Sequence, residues 1–356
     1  MARRYHAEAN TSWTPLGALH NAASDRTGWH CSSLFCTGLR RAALRFTVLC
    51  DVALCTTMRQ HAVLDIIGPH HVASCSMRVI TVSSDKGGVG KSALSGTLAV
   101  LLARGRRVVL IDADSRGDAT SNLGIRGVDP RNDRGRGLAR ALLEHTDIPL
   151  VPTTWIEPGS NDGIRFERER LQLAVGGRDF ANVSREMTRG ALDPTSAFAK
   201  IREIDTDVVI VDCPPGDAEI QRAAFAIADD VLVPTKTDHN SLRGLADIVS
   251  VIVEARRDNL QLRLAGVALY DVAASAVAVR RDSRAQVEEA LNGAAPLFGC
   301  VVRASVEYAK CTEAGLTIVE WAEYLRAVEG VTSARAASAL AWDFQCLLDE
   351  VLATWQ

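Results

Sequence analysis

The chain has 356 residues, of which 47% are hydrophobic and 23% are charged, and its formal net charge at pH 7 is −3. This composition is typical of a globular protein long enough for one large α/β domain, or for one domain with an appendage. The sequence has no run of roughly 18 or more apolar residues and no apolar core behind its first basic residues, so we expect neither a membrane span nor a secretory signal, and predict a cytoplasmic location.

Residues 1–76 differ in composition from the rest of the chain. They hold five of the nine cysteines and six of the eight histidines, and their seven arginines outnumber four acidic residues. A zinc module is one interpretation, but the cysteines form no C-x-x-C pair and lack a matching second half. We favour a poorly structured N-terminal extension, or a segment upstream of a true translation start at Met77, with residues 77–356 as the main domain.

A strand–loop–helix–strand pattern begins at Met77. The run RVITVS (78–83) is rich in β-branched residues, and SALSGTLAVLLARG (92–105) has helical apolar spacing and ends at a glycine. The run RRVVLID (106–112) predicts a second buried strand. Such a βαβ unit implies parallel strand pairing with a right-handed crossover.

The loop SSDKGGVGKS (83–92) has the features of a phosphate-binding P-loop. It matches the pattern G-x-x-x-x-G-K-[ST] except that Asp85 replaces the first glycine. Its glycines allow successive N–H groups to point at phosphate oxygens, and the helix that follows adds the positive end of its dipole. We therefore expect ATP and Mg²⁺ as cofactors, with Lys91 on the outer phosphates and Ser92 on the metal. The predicted nucleotide contacts are Gly87, Gly88, Val89, Gly90, Lys91, Ser92 and Ala93.

Acidic residues stand at the ends of two further predicted strands. The run DVVIVDCPPG (207–216) places Asp212 at the position of a Walker B acid, which orders Mg²⁺ and its waters. Asp112 and Asp114 alternate at the end of the second strand, so we expect one of them near the metal, with Asp112 as the candidate ligand, and the other near an attacking water. Together with the loop, these acids predict an α/β P-loop NTPase fold, a doubly wound and mainly parallel sheet with helices on both faces.

The pattern K-G-G-x-G-K-[ST] resembles the deviant Walker A motif of the ParA/MinD family of ATPases, and Lys86 matches its signature lysine. The similarity covers roughly residues 77–330 and is closest to ParA-type partition ATPases, since VVRASVEYAKCTEAGLTIVEW (301–321) is similar to their C-terminal part. The motif after the second strand departs from the family, because Ser115, Arg116 and Asp118 replace the usual Pro, Gln and Asn. The acids are kept, so we expect the chemistry to be retained.

The resemblance implies how such an ATPase works. In this family the signature lysine reaches phosphates held by the partner subunit, so Lys86 would act in trans, Lys91 in cis, and Asp114 would hold the water. ATP would favour a homodimer that binds DNA without sequence preference, and a centromere-binding, ParB-like protein would stimulate hydrolysis during plasmid or chromosome partition. Nucleoid association would follow from the DNA binding. The resemblance also implies a nucleotide contact at Pro234, and DNA contacts at Arg280, Arg281, Arg284 and Arg303.

Two other classes stay open. A MinD-like positioning ATPase needs a basic amphipathic C-terminal helix, but ALAWDFQCLLDEVLATWQ (339–356) has acidic and no basic residues, which predicts a packing helix and no membrane partner. A metabolic ATP-dependent enzyme or an iron–sulfur protein could use the same scaffold. Against the latter, no cluster spacing is visible among Cys213, Cys300, Cys311 and Cys346.

Overall fold

The computed structural model describes residues 77–156, 165–273, 277–291, 293 and 295–355. These residues all belong to one compact unit of the chain. The prediction of a poorly structured extension concerns residues 1–76, which lie outside the described residues.

Eight strands among the described residues form a single sheet: β1 (Arg78–Val82), β2 (Val108–Asp112), β3 (Val151–Ile156), β4 (Arg165–Ala174), β5 (Val208–Asp212), β6 (Asp230–Thr235), β7 (Arg263–Val272) and β8 (Leu297–Arg303). Their order across the sheet is β3-β4-β2-β5-β1-β6-β7-β8. Every neighbouring pair is parallel except β3 and β4, which are antiparallel. The mainly parallel sheet predicted from the sequence is therefore confirmed.

The strands are connected by α-helices that cover the sheet. In chain order they are α1 (Lys91–Ala103), α2 (Asp118–Asn122), α3 (Arg136–Glu144), α4 (Ala181–Thr188), α5 (Pro194–Ala197), α6 (Ala218–Ile227), α7 (His239–Ala255), α8 (Val277–Leu291), α9 (Glu307–Glu313), α10 (Ile318–Val328) and α11 (Arg335–Ala353). Side-chain caps fix several starts: Asp217 accepts from the Ile220 N–H, and Asp238 from the Ser241 N–H.

Apolar residues on both faces of the sheet create two cores. β2 and β5 are buried at every position, which is why their sequences are continuous apolar runs rather than alternating ones. One core joins the sheet to α3, α4, α6, α7 and α8, and includes Phe180 and Phe225. The other joins it to α1, α10 and α11, and includes Leu98 and Phe344. Helices on both faces make the sheet doubly wound, as predicted.

Helix α11 packs against the second core. It buries Leu340, Phe344, Leu347 and Val351, as the sequence predicts for a packing helix. None of the helices in the described ranges combines the length and the apolar character that crossing a membrane requires.

Candidate nucleotide-binding site

The loop between β1 and α1 has the backbone of an anion cradle. Gly88 and Gly90 have left-handed φ angles of +74° and +89°, a conformation that costs glycine little and other residues more. Gly90 precedes the first turn of α1, and no described side chain caps that turn. The first N–H groups of α1 are therefore left for a ligand, and the helix dipole favours a negative one.

The ring of Tyr270, near the end of β7, also leaves no room for a side chain at position 90. A Cβ built on Gly90 would lie 2.4 Å from the Cε1 atom of Tyr270. Burial raises the pKa of the Tyr270 phenol, and its ring packs edge-on against Phe344 at 6.4 Å between centroids. Residue 90 must therefore be glycine for two separate reasons, its backbone conformation and the space it is given.

Lys91 is buried beneath the loop that precedes it. Its Nζ donates to the Ser84 Oγ at 3.0 Å and to the Lys86 carbonyl oxygen at 2.8 Å. Burial lowers the pKa of Lys91, while the charges of Asp212 and Asp114 oppose that change. The ammonium group is thus held at the cradle by the loop itself, where a phosphate would meet it.

Lys86 occupies a different position from Lys91, although both belong to one loop. Its side chain is 34% exposed, and its Nζ lies 3.1 Å from the Asp238 Oδ1. Asp238 caps α7 and also accepts from the Ser241 Oγ at 2.6 Å. The Ser241 hydroxyl, together with Lys86, lowers the pKa of Asp238 to about 2, so this carboxylate is charged at neutral pH.

Asp212, at the end of β5, is suited to hold a metal ion. Its Oδ1 accepts from the Ser95 Oγ at 2.8 Å, whereas its Oδ2 is buried without a well-placed hydrogen-bond donor among the described residues. Burial raises the pKa of Asp212, and the nearby Ser92 hydroxyl lowers it. An unsatisfied buried carboxylate oxygen beside a serine hydroxyl fits Mg²⁺, which takes one or two protein ligands and keeps several waters.

Asp112 makes contacts that favour a structural role. Its Oδ2 accepts from both the Thr120 N–H, at 2.7 Å, and the Thr120 Oγ1, at 2.6 Å. Its Oδ1 accepts from the Asp114 N–H at 3.3 Å. Burial and the neighbouring Asp212 charge raise its pKa. Asp112 thus holds the start of α2 against β2, and its role at the metal stays a prediction that these contacts do not favour.

Asp114 lies on the loop after β2, close to the phosphate cradle. It is 3% exposed, and its Oδ1 accepts from the Arg116 N–H at 2.9 Å. The Arg116 Nε lies 3.5 Å from its Oδ2, and the Arg116 Nη2 lies 3.1 Å from the Asp118 Oδ2. Two of the three residues that depart from the family pattern therefore pair with each other, and one of them, Arg116, covers Asp114.

A cavity of about 400 Å³ adjoins the loop. Its lining includes Gly88 and Gly90 of the loop, Lys91 and Ser92 at the start of α1, Arg116 after β2, and Tyr270 near the end of β7. Pro234 lies elsewhere, in β6, where it lines a cavity of about 10 Å³ between the loop and α7. Its predicted nucleotide contact stays a prediction.

The predicted DNA-binding arginines are only partly described. Arg303 makes two hydrogen bonds with the Asp343 carboxylate, at 2.6 and 2.7 Å. Arg284 donates to the carbonyl oxygens of Phe298 and Leu297 and pairs with a glutamate one turn away. The side chains of Arg280 and Arg281, on α8, lie outside the described part of the structure. These contacts favour structural roles for Arg284 and Arg303.

Sequence reasoning missed four residues that shape the site. Ser95 and Thr120 orient the two strand-end acids, Asp238 receives Lys86, and Tyr270 packs on Gly90. Ser95 could have been found, because it lies one helical turn after Lys91 on the face that meets β5. Thr120 follows Asp112 by eight residues, whereas Asp238 and Tyr270 are brought to the site by chain segments whose positions depend on the order of the strands.

The cradle, the buried lysine and the strand-end acid, placed at the carboxyl edge of a doubly wound sheet, define a P-loop nucleotide-binding protein. A family model described as an AAA domain matches residues 77–264. The chain is 32% identical over 199 residues to the chromosome-partitioning ATPase Soj of Thermus thermophilus, covering 55% of this chain and 70% of that protein. It is 30% identical over 262 residues to the chromosome partitioning protein ParA of Myxococcus xanthus, covering 68% and 81%. This protein belongs to the ParA/MinD family of P-loop ATPases.

A solved structure extends the comparison to the fold. The ATP complex of McdA from Cyanothece superposes with a TM-score of 0.60 at 17% identity, covering 78% of this chain and 97% of that one. At this identity the similarity concerns the fold, which is the α/β P-loop fold predicted from the sequence.

Proposed function

We propose that this protein is a ParA-type partition ATPase, which hydrolyses Mg·ATP, forms a homodimer when ATP is bound, and acts on DNA during plasmid or chromosome segregation. The observation that carries the proposal is the separation of the two lysines of one loop. Lys91 is buried in its own cradle, whereas Lys86 is paired with Asp238 at the exposed rim. An ammonium group on the rim can reach phosphates held by a second subunit. The partition roles named for the two relatives support DNA as the molecule on which the protein acts.

Within one subunit, hydrolysis would depend on positioning and charge neutralisation. The loop N–H groups and Lys91 would hold the phosphates, and Ser92 and Asp212 would hold Mg²⁺, which would neutralise part of the phosphate charge. Asp114 would accept a hydrogen bond from the water that attacks the γ-phosphorus. All of these groups lie at the carboxyl edge of β1, β2 and β5, which are neighbours in the sheet.

The contacts of two predicted DNA-binding arginines change which residues we propose to bind DNA. Since Arg284 and Arg303 are engaged within the fold, we assign the contact with DNA to Arg280 and Arg281 on α8. Residues 77–356 are acidic overall, so the surface would be a local patch that dimerisation doubles. A ParB-like protein would stimulate hydrolysis, and the protein would act in the cytoplasm, on the nucleoid.

Replacing Lys86 by alanine should separate nucleotide binding from dimerisation. The exposed pair with Asp238 is worth at most about 1 kcal/mol, so ATP affinity should change by less than about fivefold. Dimerisation with a non-hydrolysable ATP analogue should be lost in analytical ultracentrifugation, and hydrolysis should fall at least about 10²-fold. Lys200→Ala, which breaks another exposed ion pair, is the matched control. A Lys86→Ala variant that dimerises like the wild type would show that Lys86 does not act across subunits.

Fluorescence anisotropy of a random-sequence DNA duplex tests the function directly. The full chain is titrated in Mg·ATP and in Mg·ADP at two salt concentrations. We expect binding that requires ATP and weakens steeply with salt, because neutralising DNA phosphates releases counterions. Arg280→Ala with Arg281→Ala should lower the salt slope by about one for each DNA phosphate that the variant no longer neutralises, whereas Arg256→Ala with Arg257→Ala, just after α7, should not. If the protein dimerises on ATP but does not bind DNA, the assignment as an ATPase stands and the partition role is refuted.

A further inference from the structure

Arg116 places an additional cation at the phosphate cavity. It lies on the loop between β2 and α2 and lines the same cavity of about 400 Å³ as Lys91 and Ser92. Burial is the main cause that lowers the pKa of Lys91, and the charge of Arg116 acts in the same direction. Two cations facing one cavity repel each other unless an anion lies between them, and the cavity is lined by the cradle that would bind such an anion.

The contacts of Arg116 are arranged around Asp114. Its own N–H donates to the Asp114 Oδ1 at 2.9 Å, and its Nε lies 3.5 Å from the Asp114 Oδ2. Asp114, at 3% exposure, therefore has both carboxylate oxygens covered by the same residue. The guanidinium group thus lies beside one oxygen of the carboxylate that would hold the attacking water, and the Arg116 backbone N–H binds the other oxygen.

The guanidinium group is free to move toward a stronger anion. The Arg116 side chain is 54% exposed, and its partner Asp118 is 47% exposed, so water screens the pair. Neither of these two ion pairs uses the Nη1 atom, so its N–H groups can serve a ligand. A guanidinium group binds phosphate oxygens with two parallel hydrogen bonds, an arrangement stronger than either contact seen here.

We infer that Arg116 is a catalytic residue that contacts the γ-phosphate of ATP bound to its own subunit, and that its movement onto the phosphate uncovers Asp114 for the attacking water. The inference rests on the proposed ATPase function and names a further residue of that same site. It differs from the role proposed for Lys86, which would contact the phosphates held by the partner subunit.

The step that Arg116 assists is ordinary hydrolysis. The oxygen of a water held by Asp114 forms a bond to the γ-phosphorus, and the bond between that phosphorus and the β–γ bridging oxygen breaks. One water proton is transferred to Asp114 or to the phosphate, and the electron pair of the broken bond remains on ADP. Arg116 neutralises the charge on the equatorial oxygens, as an arginine supplied in cis does in other phosphoryl-transfer enzymes.

The test compares Arg116→Gln and Arg116→Lys with the wild type in the full-length protein. Arg116→Gln should lower the single-turnover rate of ATP hydrolysis on the order of 10³-fold, the effect of losing such an arginine. Its affinity for ADP should change by less than about twofold, because ADP lacks the phosphate that Arg116 contacts. Affinity for ADP–aluminium fluoride, which imitates the transition state, should fall with the rate. The single-turnover rate of Arg116→Lys should lie between the rates of Arg116→Gln and the wild type, since an ammonium group carries the charge but lacks the planar fork of a guanidinium group.

Arg140→Gln is the matched control, because Arg140 is exposed on α3 and its ion pair is with a glutamate one turn away; its rate should equal that of the wild type. If Arg116→Gln hydrolyses ATP at the wild-type rate, the inference is wrong while the proposed function stands. A faster Arg116→Gln variant would also refute it, showing that Arg116 merely blocks Asp114. A wild-type protein that binds no adenine nucleotide would overturn both the inference and the proposed function.

Discussion

Lys91→Ala is expected to weaken the binding of Mg·ATP about 10²- to 10³-fold, since removing one partner of a buried, hydrogen-bonded charge pair costs about 2–5 kcal/mol. Hydrolysis should fall by a further factor on the order of 10³, because the same ammonium group faces the charge that develops on the phosphates. Isothermal titration with ATP and a phosphate-release assay would measure the two effects.

The nucleotide-free Lys91→Ala protein should remain folded. The substitution removes hydrogen bonds to Ser84 and to the Lys86 carbonyl oxygen, but it also removes a charge whose burial is unfavourable, as the lowered pKa of Lys91 shows. The free energy of unfolding should therefore change by no more than about 1 kcal/mol. Lys200→Ala serves as the control for ATP binding. If Lys91→Ala binds Mg·ATP with wild-type affinity, the assignment of the cradle is wrong.

Arg168→Met is expected to destabilise the fold by about 3–5 kcal/mol, the largest stability effect that we predict, because it leaves a buried carboxylate without its counterion. Arg168, on β4, makes two hydrogen bonds with Glu320, at 2.6 and 2.9 Å, and another to the Leu123 carbonyl oxygen. The two side chains are 6% and 12% exposed. Glu320 also accepts from Thr317 in the capping box that begins α10. Thermal and denaturant unfolding, monitored by circular dichroism, would measure the loss.

The pH dependence of this loss has a definite sign. Burial alone would raise the pKa of Glu320, but the charge and hydrogen bonds of Arg168 outweigh it and keep the pKa below its ordinary value. A carboxylate with a depressed pKa contributes stability above its unfolded pKa, and the contribution is lost as pH falls through its folded pKa. In Arg168→Met the effect of burial is unopposed, so the difference in stability between wild type and variant should begin to narrow above the unfolded glutamate pKa of about 4.3 and narrow further below it.

Two further variants distinguish the loss of the buried ion pair from a general effect of losing an arginine. Arg170→Met changes an exposed arginine on the same strand, and we expect its effect to stay within about 0.5 kcal/mol. Adding Glu320→Gln to Arg168→Met removes the unpaired charge and should recover part of the stability. Equal losses in Arg168→Met and Arg170→Met would contradict the role that we give to the buried pair.

The sequence was sufficient to locate those parts of the site that are local in the chain. The loop before Lys91 and Ser92 could be recognised because its glycines, its lysine and the following helix are adjacent in sequence. Asp212 could be placed because a buried parallel strand is a continuous apolar run, so its end is visible. The parallel, doubly wound sheet followed from the same runs.

The contacts that join distant segments could not be predicted in this way. Lys86 and Asp238 are 152 residues apart, and they meet only because β6 lies beside β1 in the sheet. Arg303 was a DNA-binding candidate on its charge, but the carboxylate of Asp343 that engages it belongs to a helix 40 residues later. The identity of a residue tells the sign of its charge, but it does not tell whether another residue of the folded protein already neutralises that charge.

The packing of Tyr270 on Gly90 has a consequence for communication through the molecule. The phosphate cradle has no spare volume on this side, so a backbone shift at Gly90 must push the ring, and with it the end of β7. Only four residues separate β7 from α8, the helix that carries Arg280 and Arg281. We therefore expect a movement of the cradle on nucleotide binding to be passed through this one aromatic ring to the end of β7, next to the segment that leads to α8.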